Sequence, residues 1–298
     1  MLDLRRLRLL HELASRGTLA SVAIALNQSA SSVSQQLSLL EREVGVPLLR
    51  KVGRHVQLTV QALILVRHTT AVLNRLELAE AEVSTSLAIA EGTLRVAVFQ
   101  SAALALMPLT LDRLATDYPL LRVEVVQREV DLALRETWMR DFDLVIAEEY
   151  PGHGSERHEG LDRVDLIVDP LHLAVPHDTA GEVQLEAFRN RAWVMEPGGA
   201  ASRHWDEQVC RIAGFEPDVR FETSDLHVLI RLIESGHAVG IVPDLLWSAA
   251  DCRVRLVDLP GSPTRNIFTS ARRASAKSPA ILACRDSLAL AAAALTRG

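Results

Sequence analysis

Residues 7–59, LRLLHELASRGTLASVAIALNQSASSVSQQLSLLEREVGVPLLRKVGRHVQLT, divide into two short helices, a turn, a third helix and a glycine-tipped hairpin. Leu7, Leu10, Leu13 and Ala14 recur at helical spacing until Arg16-Gly17, where glycine supplies a left-handed turn. Thr18 is placed to cap a second helix with Leu19, Val22, Ala23 and Leu26 inward, which Asn27-Gln28 interrupts. Ser29 then reads as the N-cap of a third helix. Val33, Leu37 and Leu40 of that helix face inward, and Ser31, Ser34, Gln35 and Ser38 face outward. Gly45 ends it, and Leu48 to Thr59 form a two-stranded wing turning at Gly53-Arg54-His55.

A helix followed by a short turn and a polar-faced second helix is the arrangement in which the second helix enters a major groove and presents its first turns to base edges. The expected reading set is Ser29, Ala30, Ser31, Ser34 and Gln35. Gln35 is suited to a bidentate pair with adenine, and serine hydroxyls to bases or phosphates. Arg50 and Lys51 on the wing are expected on the backbone, and Arg54 at its tip suits a narrow minor groove. A plain three-helix bundle is the alternative. The coincidence of caps, turn, polar face and basic wing speaks against it. Charge agrees: up to Thr59 there are eight basic and four acidic side chains, whereas the whole chain carries −6, so the basic module precedes a strongly acidic remainder.

These residues resemble the LysR-type transcriptional regulators, and the likeness covers essentially the whole chain. The serine-rich helix running into Leu40-Glu41, the wing Gly45 to Lys51 and the closing Leu58-Thr59 carry it. Leu49 stands where the pattern has phenylalanine, Val22 where it has one of two alanines, and Ala62 where a glycine commonly follows. The resemblance implies a DNA-binding regulator acting on double-stranded promoter DNA and, through it, on RNA polymerase. It also implies a winged helix-turn-helix at residues 1–60, a linker helix at 61–92 and an effector-binding domain at 93–298.

From Ala62 onward Val66, Thr69, Leu73, Leu76, Glu80, Val83, Leu87 and Ala90 alternate spacings of four and three, the seam of a coiled coil, with no Pro or Gly before Gly92. The family uses this helix for self-association, so a homodimer or homotetramer is expected. The alternative is an amphipathic helix lying on its own body.

Beyond Gly92 strands alternate with helices. Leu94–Phe99, Arg122–Val126 and Phe142–Ala147 read as strands of a parallel sheet, and Ala102–Asp117 as a helix interrupted at Met107-Pro108. An extended stretch, Leu161–Pro176, is expected to break at Asp169-Pro170. A second α/β unit follows through Ala192–Met195, Ser202–Ala213, Val219–Glu222, Asp225–Glu234 and Ala238–Val242, and Ile267–Ala271 and Ser278–Leu295 return to the first. The fold class is thus α/β with an all-α start. The effector domain is expected to have the two-lobed, periplasmic-binding-protein-like (type II) form, with lobe I near 93–163 and 266–298 and lobe II near 164–265. In the family a small-molecule effector binds in the cleft between the lobes, and open α/β sheets bind ligands beyond the carboxyl ends of their strands. Those ends supply Gln100, Ser101, Ala102, Arg128, Gly198, Gly199, Ser202, Thr223, Val242 and Pro243 as candidates. Ser101 offers a hydroxyl and helix-start N–H groups to a carboxylate or other acceptor, and Arg128 a charge to an anion.

No other chemistry is legible. Gly236-His-Ala-Val-Gly240 has the glycines of a nucleophile elbow but alanine at its centre. The ten histidines form no metal-ligand pair, so neither metal nor cofactor is expected. Cys210, Cys252 and Cys284 are far apart and fit a reducing cytoplasm rather than a disulfide framework or a close redox pair. No signal peptide or membrane span is legible. A ligand-independent architectural DNA protein, or an enzyme carrying a DNA-binding arm, are the competing functions; the second would need a catalytic cluster that the sequence does not show.

Overall fold

The computed structural model describes residues 2–295 apart from 54, 88, 155–157, 182–183 and 250–252. The chain forms two compact units, residues 1–83 and 84–298.

In the first unit, α1 (Leu4–Arg16) starts at Asp3, whose carboxylate accepts from the N–H groups of Arg5 and Arg6, and stops at Gly17 with φ 79°. The Thr18 hydroxyl caps α2 (Leu19–Ala25), and Ser29 caps α3 (Ala30–Val44) by accepting from Ser32 N–H at 3.1 Å. Leu10, Val22, Val33, Leu37, Leu40 and Leu48 bury themselves between the three helices and β1 (Leu49–Val52), which pairs with β2 (His55–Leu58) to make the wing. Glu41 has a structural task. Its carboxylate accepts from the N–H groups of Leu48 and Leu49 at 2.8 and 3.0 Å, fixing the wing to the end of α3.

Helix α4 (Val60–Leu87) follows, 28 residues or about 42 Å at the α-helical rise. It ends at Leu87, so Ala90 does not continue the anticipated seam; it is buried with Leu94 in a core of the second unit. The seam also changes character along its length. Thr69 is buried and Val66 and Leu73 are half-buried, whereas Leu76, Glu80, Val83 and Leu87 are exposed.

In the second unit, β3 (Gly92–Val98) pairs in parallel with β4 (Leu121–Gln127) and β5 (Leu144–Glu149). Helices α5 (Gln100–Ala105), α6 (Met107–Asp117) and α7 (Val130–Trp138) connect these strands. Pro108 sits in the first turn of α6, where its missing N–H breaks no bond, so two helices replace one bent helix.

The expected break at Asp169-Pro170 is absent: β6 (Val164–Pro176) runs through unbroken. Pro170 falls where β6 exchanges partners, from β11 (Thr264–Ala271) to β9 (Gly240–Pro243) and β10 (Val254–Asp258), so the lost donor coincides with a change of ladder. The short β10 was not anticipated.

A small parallel pair, β7 (Ala192–Met195) and β8 (Asp218–Glu222), is accompanied by α8 (Ala201–Ile212) and α9 (Leu226–Glu234). The Val194 N–H donates to the Val239 carbonyl and the Val239 N–H to the Ala192 carbonyl, each at 3.0 Å, and a Cβ on the adjoining Gly240 would lie 2.8 Å from the Val194 carbonyl oxygen. That close approach, not catalysis, explains the second glycine of the elbow-like motif. Separate cores form around Val96, Leu144, Ile146 and Leu288 of α10 (Pro279–Leu295), and around Leu173, Trp193 and Met195. Two α/β lobes crossed by β6 and β11 result.

Candidate DNA interface and effector cleft

On α3 the helical period that buries Val33, Leu37 and Leu40 turns Ser31, Ser34 and Gln35 to solvent. Gln35 and Ser34 have no protein partner among the described residues, so their hydrogen-bonding groups are free. The neighbouring Gln36 is committed instead: its carbonyl accepts from Arg6 Nε at 3.1 Å, while Arg6 Nη1 also pairs with Glu43. Ser29 caps the helix and lies 3.0 Å from the Ser31 hydroxyl, and Ala30 is exposed beside it. On the wing Lys51 is exposed and Arg50 donates to Gln57 at 2.9 Å. Arg54 lies outside the described residues.

The second unit holds a cleft where the carboxyl ends of β3, β4, β5, β7 and β8 open. Its outer part is a cavity of 460 Å³ bordered by Gln100, Arg128, Glu129, Glu148, Glu196 and the Gly198-Gly199 loop. An inner recess of 60 Å³ continues from it, bordered by Ser101, Glu148, Tyr150, Glu196, Asp206 and Arg265.

Arg265 on β11 organises the floor. Its guanidinium donates through Nε and Nη2 to Asp169 at 2.8 and 2.6 Å, through Nη2 to the Ser101 hydroxyl at 2.8 Å, and through Nη1 to Glu148. Asp169 in turn accepts from Leu245 N–H at 2.9 Å. One side chain thus joins β5, β6, β11 and α5. Burial opposes its charge, but Glu148 and Asp169 outweigh that and hold it protonated.

The carboxyls behave differently. Burial pushes Glu148 up to about 7 despite Arg265. Asp206 is driven well above the usual carboxylate range by burial and then by Glu196. Burial also raises Glu196, although its carboxylate accepts a hydrogen bond from Ser202. Gln100 straps the lobes together: its amide donates to Asp225 at 3.0 Å and accepts from Leu226 N–H at 3.0 Å.

Sequence-anticipated residues are therefore partly gathered here. Gln100, Ser101, Arg128, Gly198, Gly199, Ser202 and Pro243 border the cleft. Ala102 and Val242 instead pack into cores. On β9 the two-residue alternation sends Ile241 and Pro243 to the recess and Val242 to the opposite face. The Thr223 hydroxyl is occupied by Asp225 N–H at 3.0 Å, and its neighbour Ser224 borders the cavity. Arg128 is paired with Glu136 at 3.1 Å.

Pattern reading missed Glu148, Tyr150, Glu196, Asp206 and Arg265. Two signals were present. Ser202, Asp206 and Cys210 repeat every four residues on one face of α8, and Glu148-Glu149 closes an otherwise apolar strand.

The family model described as "LysR substrate binding domain" matches residues 89–293, and that described as "Bacterial regulatory helix-turn-helix protein, lysR family" matches residues 4–63. The chain belongs to the LysR family. It is a DNA-binding transcriptional regulator with an effector-binding domain, not an enzyme. Among curated relatives of this LysR-family chain, the transcriptional dual regulator GltC of Bacillus subtilis is 26% identical over 247 residues, covering 82% of this chain and 81% of that one. The regulator TcbR of Pseudomonas sp. (strain P51) is 26% identical over 251 residues, covering 81% and 83%.

Among solved structures, a cysteine-to-aspartate variant of full-length OxyR from Pseudomonas aeruginosa superposes with a TM-score of 0.70 at 17% identity over 97% of this chain and 95% of that one. Full-length CbnR in complex with its target DNA gives 0.54 at 21% identity over 98% and 100%. These last two likenesses concern the fold. Cys210 and Cys284 of this chain are both buried, and burial pushes each thiol up to about 12. Cys252 lies outside the described residues. No helix among the described residues is long and apolar enough to cross a membrane.

Proposed function

We propose that this LysR-family regulator binds promoter DNA in the cytoplasm as a symmetric dimer or tetramer through α3 and the wing, and that a small molecule in the cleft alters those contacts and access of RNA polymerase. The observation that carries the DNA reading is the unpartnered Ser34 and Gln35 pair on the exposed face of a helix whose opposite face is fully committed to the core. Gln35→Ala should cost about 1–3 kcal/mol on cognate DNA and little on random DNA, because a base contact carries sequence preference. Gel-shift titrations on both DNAs decide it, and equal losses would remove Gln35 from the reading set.

Self-association is assigned to α4, where exposed Val72, Leu76, Val83 and Leu87 step by four, seven and four residues along one stripe. Replacing Leu76 and Val83 by glutamate should give monomers in sedimentation, with the affinity for a two-half-site operator falling about 100-fold or more as the second contact ceases to be intramolecular. An unchanged oligomer would place the interface elsewhere. The open 460 Å³ cavity favours a ligand-responsive regulator over a purely architectural one. The lobe boundaries proposed for this domain follow β6 and β11, near residues 164 and 265.

A further inference from the structure

The charges around the cleft are unbalanced in a way that bears on what it accepts. The two arginines that border it are already engaged. Arg265 is held by Asp169, Glu148 and Ser101, and Arg128 by Glu136 and the Gln127 carbonyl. An incoming carboxylate would find no free positive charge, and the Ser101 hydroxyl already accepts from Arg265.

Acidic side chains outnumber these arginines. Glu129 and Asp131 border the outer cavity, and Glu148, Glu196 and Asp206 surround the way into the recess. Asp206 among them is 5% exposed, borders the recess, and makes no hydrogen bond or ion pair among the described residues, with Arg203 the cation that acts on it through space. Tyr150, 6% exposed, borders the same recess, and its hydroxyl makes no hydrogen bond among the described residues. A buried carboxyl left unpaired is costly, and an arriving cation relieves that cost. No group of His, Cys, Asp and Glu among the described residues is placed to hold a metal ion. The complement is therefore a polyatomic cation, with a donor for each separated acceptor. The recess of 60 Å³ admits an ammonium or guanidinium head with its adjoining carbon, and the 460 Å³ outer cavity takes the remainder.

We infer that the effector is a small organic cation, an amine or guanidine, whose charged head enters the recess between Asp206, Glu196 and the Tyr150 hydroxyl. This rests on the effector-binding reading of the cleft and names the ligand class for it. Arg265 keeps Glu148 and Asp169 occupied and leaves Asp206, which burial pushes toward its protonated form while the recess is empty, to ionise against the arriving cation.

Calorimetry and thermal melting on the full-length protein test this with n-butylamine, n-butylguanidine and the carbon-matched anion butyrate. The amine or the guanidine should bind and raise the melting midpoint, butyrate should bind at least about tenfold more weakly, and Asp206→Asn should weaken the cation by about tenfold or more, as for a lost buried charge partner. Glu196→Gln should weaken it in the same direction, which guards against misfolding of either single variant; ligand-free melting and gel shifts on operator DNA report that each variant is folded. Butyrate binding better than both cations would overturn the cationic assignment while leaving the cleft an effector site. Undiminished cation binding in both variants would overturn the placement in the recess. Failure of both cations to bind at millimolar concentration would overturn the inference, whereas the wider effector reading would fall only if a broad small-molecule melting screen found no ligand for this domain.

Discussion

Arg265→Ala is expected to lower the unfolding free energy of residues 84–298 by about 3–5 kcal/mol near neutral pH, the loss that follows when one member of a buried charge network is removed. The residue is 2% exposed, and truncation leaves Asp169, 3% exposed, and Glu148 without their cation and Ser101 without its donor. Arg265→Lys should recover only a small part. Three separate nitrogens of a planar fork serve Asp169, Glu148 and Ser101, and one ammonium cannot reproduce those directions. Denaturant titration of both variants measures the effect. The loss should shrink as pH falls, because protonated Glu148 and Asp169 no longer require a counter-charge. A loss below about 1 kcal/mol, the range of exposed pairs, would mean that the network is not what joins β5, β6, β11 and α5.

The parts of this molecule that were legible in its sequence are those governed by local rules. Helix caps at Thr18 and Ser29 and left-handed stops at Gly17 and Gly45 depend on neighbours within a turn, and all four positions fall where the pattern places them. The outward face of α3 follows from the same 3.6-residue period. Pro170 shows the limit: a proline is a local breaker, but here a long-range change of strand partner absorbs it, and nothing local announces that exchange.

The cleft was legible only as a set of strand ends. Ser101 was found because it starts a helix after a strand, yet its partner Arg265 is 164 residues away, and only the returning β11 brings them together. The same return converts an apparent anion site into one whose cation is consumed. Glu148 escaped notice because an apolar run was expected to end at Ala147, whereas β5 continues two residues further and carries the carboxyl to the cavity. On α4 periodicity gave the helix but not its faces: the four-three pattern is satisfied both by Thr69, which is buried, and by Val83, which is exposed.

The buried carboxyls also set a pH dependence whose sign is opposite to that of most salt-bridged proteins. Burial raises Glu148 from 4.5 to about 7, so between those values the folded state holds a proton that the unfolded state has released. Stability therefore falls as pH rises through that window, by about 3 kcal/mol from this group alone. Asp169, Glu196 and Asp206 are displaced in the same direction, again chiefly by burial, and steepen the slope. Glu207, held down by its hydrogen bond from Arg203, acts the other way only at the acid end. Urea titrations across the window should show the wild type losing stability with rising pH. Glu148→Gln, which keeps the shape of the protonated acid, should lose markedly less, so the two curves diverge toward alkaline pH. Parallel curves would mean that Glu148 is ionised throughout, with Arg265 fully offsetting its burial. The slope bears on ligand binding as well, since a cation in the recess prefers the ionised carboxyls and would stabilise the protein most where the empty cleft is least stable.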